Sequence, residues 1–265
     1  MEAVSVIRIP QANIVAMIFV CLAVFGVVPA LAIFIGRKYK GKFLSFLIGA
    51  ATFIVFVFVL EQFLHILVLQ NLGGISEAIM GNILLYGLYG GLAAGIFEET
   101  GRYLSMRFLM KKNLNGGNAL MYGIGHGGIE AILLVGVMYL GQLANALVLN
   151  SGALDEMFQG ELGAEMLAAY GPLAETQSYL FYIAGAERMM AITLHLALSV
   201  LVYVAVSRKK SGYYFLAVAL HASVDFTVVV VASSVSTIAA ELACLVGVAA
   251  AVVLAVRAFQ KYGTT

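Results

Sequence analysis

Asn13 to Ile35 reads NIVAMIFVCLAVFGVVPALAIFI, twenty-three consecutive residues without a charge. A helix that crosses a hydrocarbon core of about 30 Å needs about 20 such residues. Working outward from this stretch, six more runs of spanning length follow: Phe43–Leu69, Gly81–Met110, Asn118–Leu149, Tyr179–Val206, Tyr213–Val231 and Ile238–Val256. Strands of a membrane barrel are about 10 residues long and alternate with period two; these runs are longer and do not alternate. The composition agrees. Of 265 residues, 62% are hydrophobic and 11% charged, with a mean hydropathy of +0.99. A soluble domain is about 45–50% apolar and about 25% charged. The sequence therefore predicts an all-α fold, a polytopic transmembrane bundle of seven spans, read as one integral membrane domain over residues 1–265 with its motif-bearing core at 81–231. The first run is read as a retained span: it exceeds a signal h-region of about 7–15 residues, and only Arg8 precedes it as a cation. A net charge of +1 argues against nucleic acid as a partner, which would need clustered cations.

Orientation follows from the loops. Arg37, Lys38, Lys40 and Lys42 follow the first run, Arg107, Lys111 and Lys112 the third, Arg208, Lys209 and Lys210 the fifth, and Arg257 and Lys261 the seventh. The intervening connections hold Glu77 and the acidic stretch Asp155, Glu156, Glu161, Glu165 and Glu175, with no Lys or Arg. This pattern places the N-terminus outside and the C-terminus in the cytoplasm. Leu154–Tyr170 mixes acids with Leu, Met and Phe; it reads as a helix on the outer membrane surface or equally as a solvated loop. Cys21 and Cys244 lie inside apolar runs and read as small buried hydrophobes.

Ionisable groups inside spans are costly and usually functional. Here they include Glu61 and His65, Glu98, Glu99 and Arg102, His126 and Glu130, Glu187, Arg188 and His195, His221 and Asp225, and Glu241. Counting inward at about 1.5 Å per residue from the basic end of each span places Glu98, His126, His195 and His221 at one depth, roughly 12–17 Å in. Glu61, His65, Glu187 and Arg188 fall near the opposite ends, where His65 reads as a helix-end histidine and Glu187 with Arg188 as a structural pair. Glu98 with Arg102, His126 with Glu130, and His221 with Asp225 are i,i+4 pairs, each on one helix face. A carboxylate beside imidazoles in a low-dielectric cavity is suited to general-base work. Gly123, Gly125, Gly127 and Gly128 surround His126 and suggest backbone approaching a ligand or a distorted helix start, while Gly87, Gly91 and Gly95 read as a helix-packing stripe.

Residue types exclude several protease chemistries. No two of the four His stand at the i,i+4 spacing of a His-Glu-x-x-His zinc site, only two Asp exist, one of them in a loop, and no Gly-x-Ser-Gly occurs. Glutamate and histidine remain. Glu98-Glu99-Thr100-Gly101-Arg102, the stretch from Tyr122 through Gly-Ile-Gly-His126-Gly-Gly-Ile-Glu130, His195, and His221-Ala-Ser-Val-Asp225 resemble, in that order, the motifs of the glutamic intramembrane protease superfamily, which includes CAAX prenyl proteases, bacteriocin-processing homologues and the PrsW proteases. The YhfC branch is the nearest in pattern. The resemblance implies that Glu98 activates water with His126 assisting, that Glu99 and Arg102 complete the first motif, and that His221 stabilises the oxyanion. Asp225 stands where many relatives have Asn, and Tyr122 where they have Phe; His195 matches a His of the PrsW branch.

These readings predict an intramembrane endopeptidase of the bacterial plasma membrane, acting on a membrane-embedded or membrane-associated protein or peptide. The lipid bilayer is its other partner. The expected catalytic set is Glu98, Glu99, Arg102, His126, Glu130, His195, His221 and Asp225. The expected mechanism uses no metal or other cofactor, with Glu98, His126, His195 and His221 as the set that could hold zinc. The alternatives are a non-catalytic membrane scaffold and, behind it, a proton-coupled transporter.

Overall fold

The computed structural model describes residues 6–159 and 162–262. Among them there is no strand; the chain is a series of helices. We number these α1 (Gln11–Tyr39), α2 (Phe43–Gln70), α3 (Gly74–Met80), α4 (Ile83–Leu109), α5 (Gly116–Asn150), α6 (Asp155–Gln159), α7 (Gly163–Glu175), α8 (Ser178–Ser207), α9 (Gly212–Ser234) and α10 (Thr237–Tyr262). Six of them, α1, α2, α5, α8, α9 and α10, are long and apolar enough to cross a membrane, and the bent pair α3–α4 is a seventh candidate when its two helices are taken as one span. The bend between α3 and α4 is 101°. It occurs at Gly81 and Asn82, where the Asn82 side chain accepts from the Leu84 and Leu85 amides at 3.0 and 3.2 Å and so starts α4 afresh. Turns of α2, α4 and α5 are widened to i→i+5 spacing at Ile54–Glu61, Ile66–Gln70, Ser105–Leu109 and Ile132–Val137.

The chain forms two compact units, one from the segment ending at Val27 with Ala131–Arg188, the other from Val28–Glu130 with the chain from Met189 onward. In the first, the N-terminal segment is tied down by side chains. Asn150 exchanges hydrogen bonds with the Ile9 backbone at 2.8 and 2.9 Å, and Arg8 meets Asp155 through two, at 2.9 and 2.6 Å. Asn13 donates to the carbonyls of Leu173 and Thr176. The acidic stretch forms α6 and α7, with Glu161 outside the described residues. Glu187 and Arg188 pair with each other, and Cys21 is buried.

In the second unit α8 is the central helix. From Leu194 to Ala205 almost every side chain is buried, including Leu198, Leu201 and Val204 at 0% exposure. A helix apolar on all faces belongs in a protein interior. Around it the glycines let backbones touch. A Cβ on Gly91 would lie 2.5 Å from the Ala222 carbonyl oxygen, and one on Gly95 2.9 Å from that of Val218, which fixes α4 against α9. Gly127 leaves room for His195 and Ile192 of α8, Gly123 for Ser199, and Gly125 for the Phe46 carbonyl. The glycine density around His126 is thus helix packing on three sides, not backbone reserved for a ligand. The outward side chains of α10, Leu242, Leu245 and Val246, are more than half exposed, a surface suited to lipid rather than water.

Two predictions follow from these contacts. Gly91→Ala should cost about 1–3 kcal/mol through overpacking, while Gly90→Ala, whose Cβ would meet nothing within 4 Å, should be neutral or slightly stabilising; unfolding in mixed micelles with increasing dodecyl sulfate measures both. Second, the Arg8 hydrogen bond holds the Asp155 carboxyl below the usual carboxylate range, against a small opposing effect of burial. A depressed folded pKa means that the pair contributes above the unfolded value of about 3.9 and is lost as pH falls through the folded pKa. Carbon-13 labelling of the two Asp carboxyls should show the Asp155 signal titrating below its normal range, and returning to it in Arg8→Ala.

Candidate active site

Four helices of the second unit bring together the polar residues that sequence counting placed at one depth. α4 supplies Glu98, Glu99 and Arg102, α5 His126 and Glu130, α8 His195, and α9 His221 and Asp225. The His126 and His195 rings are 4.8 Å apart, and those of His195 and His221 5.3 Å. All are buried except Asp225, whose side chain is 35% exposed.

Glu98 and Glu99 are consecutive, so they leave α4 about 100° apart and meet different neighbours. Glu98 turns to α5, where its Oε2 lies 2.8 Å from His126 Nε2. Glu99 turns to α9 and accepts from His221 Nδ1 at 2.9 Å, with Arg102 Nε at 3.4 Å from its second oxygen. Arg102 is fully buried; its Nη1 donates to the His195 carbonyl and to Ser199 Oγ, at 2.9 and 3.1 Å, and its Nη2 lies 2.9 Å from His195 Nδ1.

These contacts fix proton positions. A guanidinium only donates, so His195 Nδ1 is the acceptor and the neutral ring carries its hydrogen on Nε2. That nitrogen is 2.6 Å from Glu130 Oε2 and 3.9 Å from Glu98 Oε2. His126 Nδ1 is buried and without a hydrogen-bond partner. An orphaned N–H is rarer than an orphaned acceptor, which puts the His126 hydrogen on Nε2, facing Glu98. His126 is clamped by the edge-on Phe53 ring at 5.3 Å and the stacked Tyr122 ring at 6.0 Å. His221 Nε2 is 3.5 Å from Asp225 Oδ2; Glu99 and Asp225 are both served only when both ring nitrogens of His221 carry hydrogen.

Two of the three expected i,i+4 pairs are replaced, one by a neighbour on the same helix and one by a contact across helices. Arg102 pairs with Glu99 instead of Glu98, and His126 with Glu98 instead of Glu130, which faces His195. For His126, glycine packing brings the neighbouring helix closer than the next turn of its own; for Arg102, the i,i+3 neighbour on its own helix is the acid it meets. The third pair, His221 with Asp225, forms, and Asp225 sits where it orients His221. Ser199 was not anticipated; its signal was a serine one helical turn beyond His195 in an apolar run. His65 does contact neighbours: Glu61 at 3.3 Å and the Tyr89 hydroxyl at 2.9 Å. Glu61, read from sequence as lying near a span end, is itself buried, and its Oε2 has no hydrogen-bond partner.

Glu98, His126 and His195 each offer a ligand atom within 4.8 Å of the others. Zinc bonds to His and carboxylate of about 2.0–2.2 Å require donors roughly 3.3 Å apart, so modest adjustment would let these three fit such an ion. His195 joins the set through Nε2 only if its hydrogen leaves that atom and Arg102 releases Nδ1. His221, expected as a fourth ligand, is instead held between Glu99 and Asp225 and is not part of the group.

A family model described as YhfC intramembrane metalloprotease matches residues 18–257. The chain is 36% identical over 236 residues to a Bacillus subtilis (strain 168) protein called uncharacterized membrane protein YhfC, covering 87% of this chain and 91% of the relative. No solved structure matches. The family description and the Glu98–His126–His195 group both stand against the sequence expectation of a metal-free site. With the match running through five of the seven candidate spans and most of the first and the last, and across the whole polar cluster, the chain belongs to the YhfC intramembrane metalloprotease family.

Proposed function

We propose that this protein is an intramembrane endopeptidase that hydrolyses a peptide bond in a membrane-associated protein or peptide, with Glu98 as the carboxylate that acts on water. The observation that carries this reading is the division of labour between adjacent glutamates. Glu99 is occupied by Arg102 and His221, whereas Glu98, itself buried, faces histidine ring nitrogens and no fixed cation.

The chemistry runs through this chain's own groups. His126 Nε2–H holds one Glu98 oxygen and so aims the carboxylate. Glu98 takes a proton from water as the water oxygen attacks the substrate carbonyl, and passes that proton to the leaving amine as the C–N bond breaks. His195, its tautomer set by Arg102, turns its Nε2–H from Glu130 to the developing oxyanion, while His221, both of its N–H groups engaged by Glu99 and Asp225, contributes positive charge rather than a donor. Glu98, His126 and His195 are the residues that would hold a divalent metal, which when bound lowers the pKa of its water and polarises the carbonyl.

Two measurements test this. Incubated with a membrane proteome, wild-type protein should generate new peptide termini detectable by mass spectrometry, and Glu98→Gln should lower their yield by ~10²–10⁴-fold. Because Arg102 keeps Glu99, Glu98→Gln should fold as wild type, whereas Glu99→Gln strands a buried cation and should lose roughly 3–5 kcal/mol of stability. Near-normal cleavage by Glu98→Gln would remove Glu98 as the base, and no new termini from wild-type protein would move the scaffold reading ahead. Metal analysis of purified protein should find about one equivalent of a divalent ion, removed by chelation and absent from His126→Ala; metal-free protein that cleaves normally would confine the reaction to Glu98 and the histidines.

A further inference from the structure

A cleft of about 880 Å³ opens at the basic end of α4 and α8. Arg107 and Lys111 enter it from the end of α4 and the turn beyond, and Lys209 from the turn after α8. No acid lines it. No Asp or Glu occurs between Glu99 and Glu130, or between Glu187 and Asp225, the two stretches that build it.

The cations are not paired off against carboxylates, and Arg107 is held in place. Arg107 Nη1 donates to the Tyr103 hydroxyl at 2.8 Å, and its guanidinium lies 5.7 Å from the Phe108 ring centre. These contacts leave the remaining guanidinium N–H groups free of any carboxylate. Lys209 takes a positive φ of 53°, an uncommon conformation for a residue with a side chain, on the turn that lines the cleft. Its neighbour Arg208 is bound away from it, to the Tyr262 carbonyl at 2.8 Å. Ser211 adds a hydroxyl at the wall; it makes no side-chain capping bond to α9.

We propose that this cleft binds a phosphate group. A guanidinium with two ammonium groups and a hydroxyl, and no competing carboxylate, is the donor set for phosphate oxygens. The phosphate is carried by an anionic phospholipid headgroup or is free in solution. Phe108 and Leu109, 64% and 68% exposed beside the cleft, offer the apolar flank an acyl chain needs. Basic pockets at the ends of membrane helices commonly take anionic headgroups, at about 1 kcal/mol per cation, a factor of about five each. Three cations then correspond to an affinity difference on the order of a hundredfold.

The test does not depend on the peptidase reading. Purified full-length protein in neutral maltoside micelles is titrated with dihexanoylphosphatidylglycerol, dihexanoylphosphatidylcholine or inorganic phosphate, and apparent affinity is taken from the rise in melting temperature. We expect a saturable rise with phosphatidylglycerol, weakened about a hundredfold in Arg107→Ala/Lys111→Ala/Lys209→Ala. It should be unchanged in Arg37→Ala/Lys38→Ala/Lys40→Ala, which removes equal charge from a turn that does not line the cleft. If the first triple variant fails to elute as wild type, Arg107→Gln, Lys111→Gln and Lys209→Gln singly should each weaken binding about fivefold. Saturation by inorganic phosphate at similar concentration supports the site and assigns it to a soluble anion; saturation by phosphatidylglycerol alone assigns it to lipid. Equal loss in both triple variants, equal response to phosphatidylcholine, or no saturable response to any phosphate compound overturns the proposal.

Discussion

A fully buried guanidinium organises the second unit. Leaving Arg102 uncompensated in a low-dielectric interior would cost several kcal/mol, and the surrounding helices are arranged to prevent it. Glu99 supplies the counter-charge from the preceding turn, while α8 supplies a backbone carbonyl, a hydroxyl and a ring nitrogen. A carbonyl in the middle of a helix is already committed to its own ladder, so the bond from Arg102 to the His195 carbonyl can form only where α4 and α8 run close. The identity of the free glutamate, the tautomer of His195 and the spacing of α4 from α8 are all consequences of placing that one charge.

Close approach is what makes the cluster possible. Side chains of Glu and His reach only a few ångströms from their helices, so four helices can pool them only if the backbones come near contact. Gly91 and Gly95 allow this on the α9 side of α4, and Gly123 and Gly127 on the α8 side of α5. Lipid offers no hydrophobic drive between helices, so the polar contacts themselves and the tight packing must hold the bundle. The residues read as chemistry and those read as packing are therefore parts of one structural solution.

The sequence made the spans legible because hydrocarbon thickness sets a length that composition must meet, and depth legible because helical rise is constant. Counting residues from Arg107, Asn118, Val206 and Tyr213 sufficed to pick out Glu98, His126, His195 and His221. Partner choice was not legible. Spacing of i,i+4 shows which groups share a face, but Arg102 and His126 choose among all neighbours in three dimensions, and the nearer one is on Glu99 or across the gap. Ser199 was invisible for the same reason, since its role exists only once α8 lies beside Arg102. The helix that carries three of the clustered ionisable groups, α4, is also the one that does not qualify as a span alone, since Glu98, Glu99 and Arg102 fall within it.

Two adjacent glutamates in a membrane helix look redundant until the helix geometry is considered. Successive residues diverge by about 100°, so Glu98 and Glu99 cannot serve the same neighbour. One must face α5 and the other α9. The residue three positions on, Arg102, lies within reach of Glu99 and completes an internal ion pair, and the other oxygen of Glu99 holds His221 by Nδ1. Glu98 is then the carboxylate with histidine as its immediate partner and the least electrostatic commitment. A single glutamate could not both neutralise Arg102 and remain available to water; on the proposed mechanism the consecutive pair separates the structural duty from the chemical one within a single turn of helix.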